Sequence, residues 1–426
     1  MYDKIMGYIK TSKKRIGVAS LYLGNGQLEM ALVSQLKKSL ESNSDLKAHI
    51  LLDFTRGSRG DNNSRTMLLP CIAEHSNQMK LSLYHTPNLK GAMKRVLPDR
   101  FNELLGLQHM KAYIFDDTII LSGANLSHDY FTNRQDRCIV IKDSPQLCDY
   151  FYSLIETVAG FSYQVDAQNK SKLHDSCKGD PTKNSETAKF VKHASSRVEE
   201  FLSYNKMSHI DCCEKPDTWV YPLIQMGSFS INQDQTAMRS LLLSDRSDDK
   251  VYMSTAYFNP SHEYIDLITR HCHGEYHLLT ASPQANGFLN AKGIAGYIPM
   301  GYRWYEKFFV EYVNKYNQDH RVKLHEFSRK NWTFHSKGLW FYPKDSRLPT
   351  MTAIGSSNFG YRSIHLDLEA QVILKTDNQE LQQSLHLEKN ELFSHSAPVD
   401  GEFLDCKDKP MPIWTRMAAY FGRYYF

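Results

Sequence analysis

The chain has 426 residues, 41% of them apolar and 12% aromatic, a composition that suits two packed cores and excludes a largely disordered protein. Basic residues number 51 against 47 acidic ones, a net charge of +4, so no overall field marks a nucleic-acid binder. The eight cysteines lack the paired spacing of a disulfide framework or zinc ribbon, His271-Cys272-His273 has no further ligands nearby, and no apolar run is long enough to cross a membrane.

In chain order, Met1 to Arg15 carries Lys4, Lys10, Lys13 and Lys14 but enters a strand-like segment almost at once, so it does not read as a cleavable presequence. A strand is predicted near Arg15 to Leu23. The turn Leu23-Gly24-Asn25-Gly26 follows, and the N–H groups at Gly24 and Gly26 could face a phosphate. It lacks the Walker lysine and threonine, so a plain turn is preferred there over an ATP loop. Leu28, Leu32, Leu36 and Leu40 share one stripe of a helix reaching Ser42. Strands are expected near Lys47 to Phe54 and Lys80 to His85, and between them Arg56, Arg59 and Arg65 join Gly57 and Gly60 in a basic loop suited to phosphate.

Asp166 to Ser195 is rich in Lys, Asp, Ser, Asn and Thr and reads as a linker or exposed insertion. Beyond it the order repeats: a strand near Val251 to Phe258, a helix after Pro260 carrying Tyr264, Leu267 and Ile268, a strand near Tyr276 to Ala281, and a helix from Trp304 to Tyr316. Strands alternating with helices predict an α/β fold of two similar halves, each a mixed or parallel sheet flanked by helices. The expected division is 1–165, a linker or insertion at 166–215, a second half at 216–400 and an aromatic tail at 401–426. Trp414, Tyr420, Phe421, Tyr424, Tyr425 and Phe426 in that tail suit either a membrane interface or docking on the core.

The chemistry concentrates in a repeated constellation. His109-Met110-Lys111 is followed by Asp116 and by Ser122-Gly123-Ala124-Asn125, and His335-Ser336-Lys337 by Gly355-Ser356-Ser357-Asn358. Histidine and lysine two apart on an extended segment emerge on one face. The next strand delivers a small-residue turn ending in an asparagine whose amide can donate to a phosphate oxygen. Asn125 to Asp136 and Asn358 to Glu369 both span eleven residues. The second copy has Tyr342 where the first has Asp116.

These paired motifs resemble the phospholipase D superfamily. The segments Leu51 to Gly60, Leu107 to Lys111, Ser122 to Ser127, Tyr221 to Met226, Asn286-Gly287-Phe288 and Gly360 to Ser363 are similar to the eukaryotic phosphatidylglycerophosphate synthase branch. The resemblance implies one active site between two packed halves and transfer of a phosphatidyl group from CDP-diacylglycerol to glycerol 3-phosphate. Its catalytic set is His109, Lys111, Asp116, His335 and Lys337, although Asp116 suits a brace between strand and turn better than a substrate contact. Asn125, Asn358 and Ser356 are implied to bind phosphate. Glu369 is implied to orient His109, the nucleophile, and Asp136 to orient His335. The resemblance further implies no metal or cofactor, no nucleic-acid partner, peripheral contact with the mitochondrial inner membrane and a place on the route to cardiolipin; a homo-oligomer is left open. Rival readings are a phosphatidylserine synthase or phospholipid hydrolase of the same superfamily, and a non-catalytic lipid-binding scaffold.

Overall fold

The structure is a computed structural model describing residues 1–91, 94, 102–206, 215–289, 296 and 298–399. The aromatic tail lies outside the described residues. The first half contributes β1 (Arg15–Ala19), β2 (Lys47–Asp53), β3 (Met79–Tyr84), β4 (Ala112–Phe115), β5 (Thr118–Ser122), β6 (Arg134–Gln135), β7 (Cys138–Ile141), β8 (Tyr163–Val165) and β9 (Ser171–Leu173). The second contributes β10 (Thr218–Met226), β11 (Ile231–Asn232), β12 (Lys250–Ser254), β13 (Glu275–Ala281), β14 (Val322–Phe327), β15 (Thr333–Phe334), β16 (Gly338–Tyr342), β17 (Met351–Gly355), β18 (Leu368–Thr376) and β19 (Ser396–Pro398).

Two mixed sheets result, ordered β7-β5-β4-β1-β2-β3-β8-β9 and β11-β10-β18-β17-β16-β12-β13-β14-β19. The run β7-β5-β4-β1-β2-β3 matches β18-β17-β16-β12-β13-β14 strand for strand. In each run the last three strands are parallel to one another and the others pair antiparallel. The duplication read in the sequence is therefore a duplication of topology. Each outer sheet face is covered by helices whose apolar stripes supply the core: Leu32, Leu36 and Leu40 of Gln27–Ser42 in the first half, and Tyr302, Tyr305, Phe309 and Val313 of Ile298–Lys315 in the second. The inner faces share one core, in which Leu121, Phe151 and Phe161 meet Ile354, Ala370 and Val372. Burying apolar surface from both halves in one cluster locks their relative position.

The first expected strand is β1, and a helix that the sequence reading did not name, Tyr2–Thr11, precedes it, buried through Ile5 and Ile9. The expected linker also carries structure: β9 extends the first sheet, and Thr187–Lys206 is a 20-residue helix. Phe190, Ala194, Val198 and Phe201 of that helix recur at helical spacing and are buried in the shared core. Average polarity concealed this narrow apolar stripe.

Candidate active site

Both motif histidines sit on the extended residues that lead into a strand, β4 or β16, rather than within it. Each is tied by its backbone to the other half. His109 N–H donates to the Leu368 carbonyl at 2.9 Å, and His335 N–H donates to the Gln135 carbonyl at 2.7 Å. Leu368 and Gln135 each stand immediately before an acid. This register brings His109 Nδ1 to 2.9 Å from Glu369 and His335 Nδ1 to 2.6 Å from Asp136. A carboxylate accepting from Nδ1–H fixes the tautomer and leaves the Nε2 lone pair for chemistry. Lys111 Nζ donates to the His109 carbonyl at 2.7 Å and Lys337 Nζ to the His335 carbonyl at 2.8 Å, so each lysine folds back under its own histidine.

The cluster is buried. Burial pushes both imidazoles well below the usual histidine range, and each neighbouring lysine, Lys111 or Lys337, lowers its own histidine further. Burial also lowers Lys111 to about 7 and Lys337 to about 8, against the pull of Glu369 and Asp136 respectively. It raises Glu369 to about 7 and Asp136 to about 6, with Lys111 and Lys337 respectively opposing. The site is thus a pair of neutral imidazoles above two reluctantly charged lysines. A bound phosphate would supply the missing counter-charge.

Of the turn residues, Asn125 donates to the Tyr130 hydroxyl at 3.2 Å while its buried Oδ1 has no hydrogen-bond partner. Tyr130 continues the chain, its hydroxyl lying 3.3 Å from His335 Nε2. Asn358 Oδ1 faces the Thr255 hydroxyl at 3.4 Å. The Ser356 hydroxyl donates to the Ala370 carbonyl and accepts the Ala370 N–H, stitching β17 to β18, and it stands beside Glu369.

The sequence reading did not single out Tyr130, Ser363, Arg362, Arg134, Arg137 or Asp367, all of which reach this cluster. Ser363 donates to Glu369 at 2.7 Å. Arg137 donates to the carbonyls of Lys337 and Ala353, filling the space that makes Gly338, at φ +115°, intolerant of a side chain. Aligning the halves on the Asn-to-acid spacing would have raised most of these positions.

Other expected residues lie elsewhere. The Asp116 carboxylate accepts the backbone N–H groups of Lys13, Lys14 and Arg15 at the far end of β4, which is the brace and no part of the cluster. In the second half that job has changed strand: Asp249, just before β12, accepts the N–H of Lys344 just after β16. Tyr342 is buried against Tyr252, with its hydroxyl 3.2 Å from His386. Arg56 stacks 4.0 Å from the Tyr22 ring centre, Arg59 pairs with Glu103 at 2.6 Å, and Arg65 donates to Asn169. Gly24 and Gly26 lie against the Glu29 carboxylate, which accepts the His128 N–H. An ATP phosphate there would meet that negative charge.

The chain is 43% identical to the mitochondrial CDP-diacylglycerol–glycerol-3-phosphate 3-phosphatidyltransferase of Gallus gallus, over 98% of this chain and 80% of that protein. It belongs to that phosphatidyltransferase family. A probable member from Dictyostelium discoideum is 39% identical over 99% of this chain and 75% of its own length. No protein-family model matches. Among solved structures, a phosphatidylserine synthase of Haemophilus influenzae superimposes with a TM-score of 0.74 at 18% identity, covering 100% of this chain and 93% of that one, and so shares the fold.

For this family member the donors also bear on metal binding. His109, Asp367 and Glu369 place ligand atoms within 4.8 Å of one another. Both carboxylates already accept hydrogen bonds: Asp367 from Leu107 N–H and Arg362, and Glu369 from Ser363 and His109. With Lys111 beside them, a divalent cation would have to break these bonds and oppose an ammonium.

Proposed function

We propose that this chain transfers the phosphatidyl group of CDP-diacylglycerol to glycerol 3-phosphate and releases CMP, through a phosphatidyl-histidine intermediate and without a metal. The observation that carries this reading is the crossed pair of imidazoles, each oriented by a carboxylate from the other half above a buried lysine. Nε2 of His109 attacks the phosphorus bearing diacylglycerol. The new P–N bond forms as the P–O bond to CMP breaks, its electron pair leaving on the CMP phosphate. His335 Nε2 then takes the proton of the acceptor hydroxyl, whose oxygen bonds to phosphorus while the P–N pair returns to His109. Lys111, Lys337, Asn125 and Asn358 hold the phosphate oxygens, the task magnesium performs in other phosphotransferases.

The mitochondrial names of the relatives support placing this reaction in the mitochondrion, and we assign it to the inner membrane, on the route to cardiolipin. No helix among the described residues is long and apolar enough to cross a membrane, which suits a peripheral contact. The test is labelled CDP-diacylglycerol offered with glycerol 3-phosphate, serine or water in turn, with EDTA in excess. Labelled lipid product with glycerol 3-phosphate alone is expected. Product with serine, or CMP release as fast in water, would assign the chain to a synthase of another acceptor or to a hydrolase, and metal-reversible loss in EDTA would overturn the metal-free mechanism.

A further inference from the structure

The offset that carries Asn125 onto Asn358 and Asp136 onto Glu369 also carries Asp129 onto Arg362 and Arg134 onto Asp367. Both halves use these positions for an ion pair of 3.2 Å, with the charges reversed. In the second half the acid is the inner member. The Asp367 side chain is 4% exposed and also accepts the Leu107 N–H, so the Arg362 charge is offset inside the protein. In the first half the cation is the inner member: the Arg134 side chain is 15% exposed, and its partner Asp129, at 58%, is a surface acid screened by water.

Arg134 is also well placed. Its Nε donates to the Thr333 hydroxyl at 3.0 Å, and its guanidinium lies 4.8 Å from the ring centre of Tyr130, whose hydroxyl approaches His335 Nε2. Burial chiefly holds His335 and Lys337 below their usual ranges, and the charge of Arg134 adds to both shifts. Exposed Gly287 adjoins it: a Cβ there would stand 3.4 Å from Arg134 Nη2.

We propose that Arg134 is the subsite for the phosphate dianion of the acceptor. This rests on the reading that glycerol 3-phosphate is that acceptor. In the second step the cleft must hold two phosphate groups, one bonded to histidine and one carried by the acceptor. The lysines and asparagines serve the first, and the second needs its own cation, for which a planar guanidinium is suited. The acceptor phosphate is only a few bonds from the hydroxyl that gives its proton to His335. The cation must therefore lie on the His335 side, where Arg134 stands and where Arg362, beside His109, does not.

The test deletes the phosphate from the acceptor as well as the charge from the protein. For wild type, Arg134→Gln and Arg134→Lys, kcat/KM is measured with glycerol 3-phosphate and with glycerol. The preference for glycerol 3-phosphate should fall about 100-fold in Arg134→Gln, the scale of one charge-assisted pair, and recover in part in Arg134→Lys. Equal losses with both acceptors, or an unchanged preference, would overturn the subsite. A wild type that does not use glycerol 3-phosphate at all would instead sink the proposed function. Should Arg134→Gln fail to fold, Gly287→Leu covers the guanidinium while keeping its charge, and the same selective loss is expected; an unchanged preference there would count against the subsite equally.

Discussion

Beside His109 and Glu369 stands a second buried carboxylate, Asp367; beside His335 and Asp136 the matching position is the cation Arg134. The backbone ties and the crossed histidine–acid bonds are the same in both half-sites. An imidazole that bonds to phosphorus acquires positive charge, which Asp367 favours beside His109 more than its partner Arg362 opposes it, and which Arg134 disfavours beside His335. Under the proposed mechanism the half-site of His109 would then be the better place to store a phosphatidyl group, and that of His335 the place for the base that takes the acceptor proton. The two half-sites share a frame and differ in the sense of one ion pair.

The largest effects should come from the orienting acids. Glu369→Gln, which keeps the shape but invites the wrong tautomer, should lower kcat about 10²–10⁴-fold. Asp136→Asn should act on the second step only, leaving CMP release in the absence of acceptor faster than in Glu369→Gln. Equal rates of that release in the two variants would erase the division of roles.

The lysines should set the alkaline limb. Each is charged only below its own pKa, about 7 for Lys111 and about 8 for Lys337, so raising pH strips the free enzyme of the cations an anionic substrate needs. Thus kcat/KM for CDP-diacylglycerol should fall above about pH 7 by up to about tenfold per unit, and above about pH 8, where both lysines lose their charge, by up to about a hundredfold per unit. Lys111→Arg, whose guanidinium keeps its charge, should move that limb upward. A profile unmoved by the substitution would remove Lys111 from substrate binding.

The smallest effects should come from the braces. Asp116→Ala and Asp249→Ala each leave backbone N–H groups without their carboxylate and should cost about 1–3 kcal/mol in denaturant unfolding with kcat nearly unchanged. Tyr342→Phe should cost under about 1.5 kcal/mol. A loss of turnover in Asp116→Ala as deep as in a lysine variant would return Asp116 to the catalytic set.

What the sequence disclosed follows from spacing. The motifs and the strands after them were legible because histidine, lysine, asparagine and acid recur at fixed intervals, and equal spacing in two copies implies equal structure. The crossed pairing of Glu369 with His109 came from family resemblance alone, since no interval within a half predicts a contact between halves. The helix Thr187–Lys206 stayed hidden because four buried residues sit among lysines and glutamates. Basic or glycine-rich loops signal phosphate only when their partners are known, and spacing does not give those partners; Arg65 donates to Asn169, and the Gly24–Gly26 turn, read as a plain turn over an ATP loop, lies against Glu29.

The division between the histidines is tested most directly by trapping the intermediate. CMP is a good leaving group and needs little acid assistance, whereas the acceptor hydroxyl must lose its proton to attack. With labelled CDP-diacylglycerol and glycerol 3-phosphate, His335→Ala should release close to one CMP per active site and then stall as phosphatidyl-enzyme, the adduct acid-labile, alkali-stable and mapping to His109. His109→Ala should release none. An adduct recovered on His335, or CMP formed only when acceptor is present and without any adduct, would contradict the two-step assignment.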